Sequence, residues 1–227
     1  MNLLVRTLGG ALILLVLLAI TYFGHLSLSI GFIIFSLIAI KEIADAFENI
    51  NIKLPKTLLY ICDLAIMISA AYKNPHFFIL AIIFSIIAIL IYMLFSKEET
   101  LDNILVSIFI IMYVPTLMAC IVKIEDIRYV WPLYITAWGS DTFAYLTGSL
   151  IGKRKIKSIA HISPNKTLEG SIGGVIGALI LNIIYAKYVF INFNLTYVII
   201  FSILGAILSQ LGDLVASYIK RLSLIHI

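Results

Sequence analysis

The stretch from Trp138 to Gly174, WGSDTFAYLTGSLIGKRKIKSIAHISPNKTLEGSIGG, joins two apolar runs through a basic loop. The first run carries Asp141, the loop is basic from Lys153 to Lys157, and the second run begins at Glu169. An ionisable side chain at membrane depth is costly, so it is a candidate functional residue. The segment therefore predicts a membrane hairpin that also carries chemistry.

The composition of the whole chain supports a membrane location. Of its 227 residues, 62% are hydrophobic and 12% are charged, whereas soluble domains carry roughly 25% charged residues. We therefore predict an integral membrane protein that contacts the lipid bilayer and has almost no soluble part. The net charge of +4 is small, and we expect no nucleic-acid partner.

Eight apolar segments have roughly the length that a helix needs to cross the hydrocarbon core. They cover about 8–23, 26–46, 57–72, 76–95, 101–122, 129–150, 169–190 and 195–218, and Pro115 is expected to kink the fifth. The predicted fold is an all-α, polytopic helical bundle of about eight transmembrane helices in a single membrane domain, 1–227. Within it, 1–128 holds about five N-terminal helices, and 129–227 holds helices six to eight with the basic hairpin 151–169.

The distribution of lysine and arginine predicts the orientation, because these residues concentrate on the cytoplasmic side. With the N-terminus in the cytoplasm, only Lys73, Lys123 and Arg128 face outward, and Lys187 lies near an outer helix end. The other twelve basic residues face inward: Arg6, Lys41, Lys53, Lys56, Lys97, Lys153, Arg154, Lys155, Lys157, Lys166, Lys220 and Arg221. We expect a multi-pass protein of the cell inner (plasma) membrane.

Asp213 is the strongest candidate among the buried ionisable residues. Ser209, Asp213, Ser217 and Lys220 follow at intervals of four, four and three, which places them on one helix face. A carboxylate beside hydroxyls and a Lys220-Arg221 pair suits a hard cation that holds phosphate oxygens. A polar contact between helices that only aids packing explains the same stripe.

Further candidates lie in and beside the hairpin. Asp141 is read either as a second metal ligand or as the partner of a lysine such as Lys166. Ser163-Pro164 predicts a helix start, with Ser163 as N-cap, whose free N–H groups and Lys166 could hold a phosphate; a plain capped helix is the alternative. The small-residue pairs Gly170–Gly174 and Gly173–Gly177 are expected to pack helices closely.

Two blocks of residues in the last part of the chain carry a resemblance to a known family. The first contains Asp141-Thr142-x-Ala144-Tyr145, Gly152-Lys153 and Ser163-Pro164-x-Lys166-Thr167-x-Glu169-Gly170-x-x-Gly173-Gly174. The second is Gly212-Asp213-Leu214-x-x-Ser217-x-x-Lys220-Arg221. In order and spacing these blocks resemble the core of bacterial phosphatidate cytidylyltransferases, also called CDP-diacylglycerol synthases.

The resemblance implies an enzyme of phospholipid biosynthesis, a nucleotidyltransferase that converts CTP and phosphatidic acid into CDP-diacylglycerol and pyrophosphate. It implies Mg²⁺ as cofactor. It leaves open whether a second cation binds and whether the protein forms a homodimer. Carried over by position, the catalytic residues are Asp213, Asp141 and Lys166, and the metal ligands are Asp213, Asp141 and Ser217. Substrate-binding roles fall to Ser163, Lys166, Thr167, Glu169, Lys220 and Arg221.

The sequence departs from the family pattern after Arg221. The family signature continues with further acidic residues, whereas this chain runs Leu222 to Ile227. The resemblance therefore implies a C-terminally truncated member, and we expect no useful rate of cytidylyl transfer from the chain as given. Two alternatives stay open at this point: an ion-coupled membrane transporter, and another CTP-using membrane enzyme such as a polyprenol kinase.

Overall fold

The computed structural model describes residues 3–72, 74–96 and 100–224, with side chains for residues 12–72, 74–96 and 100–221. The basic residues Lys73 and Lys97, and the side chain of Arg6, which entered the predicted orientation, lie outside the described residues. So do the side chains of the segment from Leu222 to Ile227. The contacts divide the chain into two compact units, an N-terminal unit that ends at Ile127 and a C-terminal unit that begins at Arg128.

The N-terminal unit is built from helices that pack against the buried face of α3. Its elements are α1 (Leu3–Tyr22), α2 (His25–Glu48), α3 (Lys56–Ala71), α4 (Pro75–Phe95), α5 (Leu101–Ile111), a π-helical turn (Met112–Thr116) and α6 (Leu117–Val122). Helix α3 contacts α2, α4, α5 and α6. Its buried residues recur at intervals of three and four and so lie on one helical face: Leu59, Cys62, Asp63, Ile66, Met67 and Ala70.

The π-helical turn lies where a kink was expected. Pro115 has no backbone N–H and its ring clashes with the preceding turn, so it cannot take part in a regular α-helical ladder. The helix accommodates Pro115 by widening to a π-turn over Met112–Thr116. The Thr116 hydroxyl donates to the Ile111 carbonyl oxygen at 3.0 Å. The predicted irregularity within one apolar segment, Leu101–Val122, is therefore confirmed.

The C-terminal unit consists of three long helices. They are α7 (Val130–Ile151), α8 (Leu168–Val189) and α9 (Leu195–Leu224), and a short 3₁₀ turn (Lys157–Ile159) lies in the loop between α7 and α8. Helices α7 and α8 form a close pair, and α9 packs against both. At the end of this pair away from the loop, the Tyr185 hydroxyl donates to the carbonyl oxygen of Arg128 at 2.8 Å.

Within the described residues, five helices have the length and apolarity to cross a membrane. They are His25–Glu48, Pro75–Phe95, Leu101–Val122, Leu168–Val189 and Leu195–Arg221. Helix α7 is long enough, but polar residues such as Asp141 interrupt it, and α3 has only 16 residues. A polytopic helical membrane protein is therefore confirmed, and the count of eight spans stays a prediction.

The predicted helix start at Ser163 is wrong. Ser163, Pro164, Asn165 and Lys166 form a turn, in which the Lys166 N–H donates to the Ser163 carbonyl oxygen at 3.4 Å. Helix α8 begins at Leu168, and Thr167 caps it by accepting from the Gly170 N–H at 3.1 Å. Proline suits the second position of a β-turn as well as the first turn of a helix, so the local pattern fitted both.

Candidate functional site: a cleft at the end of the α7–α8 pair

Glycines let α7 and α8 approach each other closely beside the site. A Cβ added to Gly170 would lie 2.8 Å from the Ala144 carbonyl oxygen, and one added to Gly174 would lie 2.6 Å from that of Ser140. Main-chain oxygens cannot rotate away, so only glycine permits this spacing. The prediction that these glycines pack helices closely is confirmed, and Gly170 also lines the cleft described below.

The loop between the helices is held at both of its ends. Its two strands approach each other through a bridge between Lys155 and Thr167, and the Leu168 N–H donates to the Arg154 carbonyl oxygen at 2.9 Å. The Glu169 carboxylate accepts from the N–H groups of Lys153 at 3.2 Å and Arg154 at 3.1 Å. The basic loop therefore has a defined path over the start of α8.

A cleft of about 480 Å³ opens between α7, the loop, the start of α8 and α9. Residues from both blocks of the sequence line it, Asp141, Ser163, Lys166 and Thr167 from the first and Asp213 from the second, and Gln210 joins them. The Lys166 ammonium contacts a carboxylate oxygen of Asp213 at 2.5 Å and the main-chain carbonyl oxygen of Gln210 at 3.5 Å. Asp141 lies within electrostatic reach of both Lys166 and Asp213.

The cleft is open at its surface. The Lys166 and Asp213 side chains are 25% and 48% exposed. Where water enters the cleft it screens an ion pair with this exposure, which then contributes little to stability. Because the pair is weak and the cleft is open, a ligand can separate the two groups. The ammonium can then bind an anion, and the carboxylate can bind a cation.

Five of the predicted site residues meet at the cleft: Asp141, Ser163, Lys166, Thr167 and Asp213. The other four do not line it. Glu169 binds the loop backbone, and Ser217, Lys220 and Arg221 lie further along α9. Lys220 and Arg221 are seven and eight residues beyond Asp213, which is about 10–12 Å along the helix axis.

The sequence analysis did not identify Gln210 or Ser140. Gln210 lines the cleft, and its side-chain N–H₂ group donates to the Ser140 hydroxyl at 3.2 Å and to the Ser171 carbonyl oxygen at 3.0 Å. Ser140 is fully buried. An amide side chain in an apolar helix, three residues before Asp213, was the available signal, because residues three apart share a helix face.

The residues of the cleft fit a magnesium ion that is bound together with phosphate. Mg²⁺ usually keeps several waters and is bound through one or two carboxylates plus substrate phosphates. Asp141 and Asp213 supply two carboxylates at one open cleft. The described part of the chain contains no group of three or more His, Cys, Asp or Glu residues suited to a metal. A site completed by the substrate agrees with both observations.

Comparison with known proteins identifies the class. The sequence profile of the cytidylyltransferase family matches residues 4–225. The match spans almost the whole sequence, including both units and the cleft, so the chain belongs to the cytidylyltransferase family.

Within this family, the chain is similar to phosphatidate cytidylyltransferases of several staphylococci. The chain is 31% identical to the phosphatidate cytidylyltransferase of Staphylococcus haemolyticus over 222 residues, which are 96% of this chain and 85% of that protein. It is 30% identical to the phosphatidate cytidylyltransferase of Staphylococcus aureus over 225 residues, with the same coverage of 96% and 85%. The identity rises to 40% over 97 residues of the protein of the same name from Staphylococcus saprophyticus, which are 43% of this chain and 36% of that protein.

Proposed function

We propose that this protein transfers a cytidylyl group from CTP to phosphatidic acid, giving CDP-diacylglycerol and pyrophosphate. The observation that carries the proposal is the meeting of Asp141, Lys166 and Asp213 at one cleft of a polytopic membrane protein. The family match and the names of the relatives support it. They favour it over the transporter and the polyprenol kinase.

The chemistry needs little general base catalysis. A phosphate monoester has a second pKa near 6, so the phosphate of phosphatidic acid is largely a dianion at pH 7 and is already a nucleophile. One of its oxygens attacks the α-phosphorus of CTP, and the bond from that phosphorus to the β-phosphate oxygen breaks as pyrophosphate leaves. The main difficulty is to bring two polyanions together, which requires charge neutralisation and alignment.

The residues of the cleft meet that requirement. The Lys166 ammonium places a positive charge in the cleft and would bind phosphate oxygens once it separates from Asp213. Asp141 and Asp213 would hold Mg²⁺, which when bound neutralises charge on the attacking and leaving oxygens. The turn from Ser163 to Lys166 forms one wall against which a phosphate would rest.

The residues further along α9 have a separate role in the proposal. Lys220 and Arg221 lie about 10–12 Å beyond Asp213 along the same helix, and as cations they would attract substrate phosphate groups that extend out of the cleft. Ser217 lies one turn from Asp213 and would support it rather than the substrate. The lipid substrate would arrive sideways from the bilayer.

The test compares an Asp213→Asn variant with the unchanged protein, both expressed from the complete natural coding sequence and purified in detergent. Pyrophosphate release from CTP, phosphatidic acid and Mg²⁺ is measured. Removing the charge while nearly keeping the shape should lower kcat/KM by orders of magnitude. The matched control is Asp102→Asn, because Asp102 is an exposed carboxyl in the N-terminal unit. Near-normal turnover by Asp213→Asn would refute the assignment, and no CTP-dependent turnover by the unchanged protein would refute the function.

We further propose that the loop between α7 and α8 faces the cytoplasm from the plasma membrane. The concentration of lysine and arginine in this loop supports the orientation, as does the cytoplasmic location of CTP. Single cysteines at Ser158 and Asn194, in a background without Cys62 and Cys120, can be labelled with an impermeant thiol reagent in intact cells. We expect labelling at Asn194 only, and labelling at Ser158 only would reverse the orientation.

A further inference from the structure

Gln210 joins all three helices of the C-terminal unit through one side chain. It lies on α9, and its amide donates to the Ser140 hydroxyl of α7 at 3.2 Å and to the Ser171 carbonyl oxygen of α8 at 3.0 Å. The main-chain carbonyl oxygen of Gln210 accepts from the Lys166 ammonium at 3.5 Å. The contacts lie at the cleft rather than at the distant end of the helices.

Chemistry fixes the orientation of this amide. A main-chain carbonyl oxygen can only accept a hydrogen bond, so the amide atom that faces Ser171 must be the nitrogen. Its two N–H groups match the two acceptors, the Ser140 hydroxyl and the Ser171 carbonyl. Gly174 leaves room for this arrangement, because a Cβ there would lie 3.0 Å from the Gln210 nitrogen.

The hydrogen bond from Gln210 to Ser140 joins α9 to α7, and these two helices carry the two carboxylates. Ser140 directly precedes Asp141 on α7, and Asp213 lies one turn after Gln210 on α9. We propose that Gln210 is a positioning residue that sets the separation of the Asp141 and Asp213 carboxylates for a divalent cation. The proposal rests on the function proposed above, in which these carboxylates hold Mg²⁺.

A loss of this amide should act on the cation site more than on the fold. Groups that orient metal ligands typically change metal affinity by about 10–100-fold when they are removed. Gln210→Met nearly keeps the length of the side chain and removes both N–H donors. Ser140→Ala is a milder variant, since it removes only the acceptor on α7 and leaves the contact with Ser171.

The chain offers a matched control at a second amide between helices. Asn182 of α8 donates to the Thr136 hydroxyl of α7 at 2.7 Å and is almost fully buried. It lies outside the cleft. Asn182→Leu therefore removes an interhelical amide hydrogen bond of the same kind without touching the carboxylates.

The experiment measures the binding of Mn²⁺ alone to the purified full-length protein, with the electron paramagnetic resonance signal of free Mn²⁺ as readout. Mn²⁺ stands in for Mg²⁺ because both prefer carboxylate and water ligands. We expect Gln210→Met to weaken Mn²⁺ binding by about tenfold or more. Ser140→Ala should weaken it less, and Asn182→Leu should leave it unchanged. The thermal midpoints of the variants are compared in the same detergent.

Three results would overturn the proposal. They are unchanged Mn²⁺ affinity in Gln210→Met, an equal loss of affinity in Asn182→Leu, and no Mn²⁺ binding by the unchanged protein. If Gln210→Met fails to fold, the comparison of Ser140→Ala with Asn182→Leu decides in the same way. Because the readout needs neither CTP nor lipid, a failure of the proposed cytidylyl transfer is distinguishable: pyrophosphate release would be absent while the ranking of Mn²⁺ affinities could still hold.

Discussion

Gly174→Ala is the sharpest test of how the C-terminal unit is packed. The added methyl group would lie 2.6 Å from the Ser140 carbonyl oxygen, whereas ordinary contacts begin at 3.4 Å. The shortfall is about 0.8 Å against a main-chain atom that cannot rotate, so α8 must move away from α7. The same methyl group would approach the Gln210 nitrogen at 3.0 Å.

Two opposing terms set the magnitude. Overpacking of this kind costs about 1–3 kcal/mol. Alanine is favoured over glycine inside a helix by about 1 kcal/mol, which offsets part of that cost. We therefore expect Gly174→Ala to lower the free energy of unfolding by roughly 1 kcal/mol.

Gly212→Ala supplies the matched control on α9. A methyl group there would meet no atom within 4 Å, so this variant should show only the helix-propensity gain. The difference between the two variants cancels that gain and isolates the collision, at about 1–3 kcal/mol. Unfolding in mixed detergent micelles, followed by circular dichroism, measures it. Equal stability of Gly174→Ala and Gly212→Ala would refute the close packing of α7 and α8.

Two further variants test the loop and its junction with α8. Glu169→Ala should make trypsin cleave the 153–157 segment several-fold faster, since Glu169 binds the N–H groups of two loop residues. The control is Glu42→Ala, which removes an exposed carboxylate of the N-terminal unit and should leave the cleavage rate unchanged. Equal cleavage rates in the two variants would contradict this role of Glu169. Thr167→Val should cost about 1 kcal/mol of unfolding free energy through loss of the cap. Thr167→Ser should retain that stability, and identical unfolding curves for the two variants would show that the cap contributes nothing.

Local chemistry explains which parts of the fold could be predicted from the sequence. The break at Pro115 follows from a missing N–H, and the close packing at Gly170 and Gly174 follows from the absence of a side chain. Each effect acts between near neighbours or depends on one residue type. Ser163-Pro164 shows the limit of such reasoning, because a β-turn and a helix start share the same local preferences. The choice depended on Thr167, which caps α8 instead.

The sequence by itself determined the apolar helices, the basic loop between two of them, and the two blocks that carry Asp141, Lys166 and Asp213. Only the tertiary structure decided that Lys166 meets Asp213, that Gln210 ties Ser140 to Ser171, and that Lys220 and Arg221 lie outside the cleft. The physical reason is the range of the forces. Hydropathy and helix periodicity depend on residues close in sequence, whereas a cleft forms where distant segments pack. Here the glycines of α8 and the Gln210 amide of α9 together set the spacing between the helices.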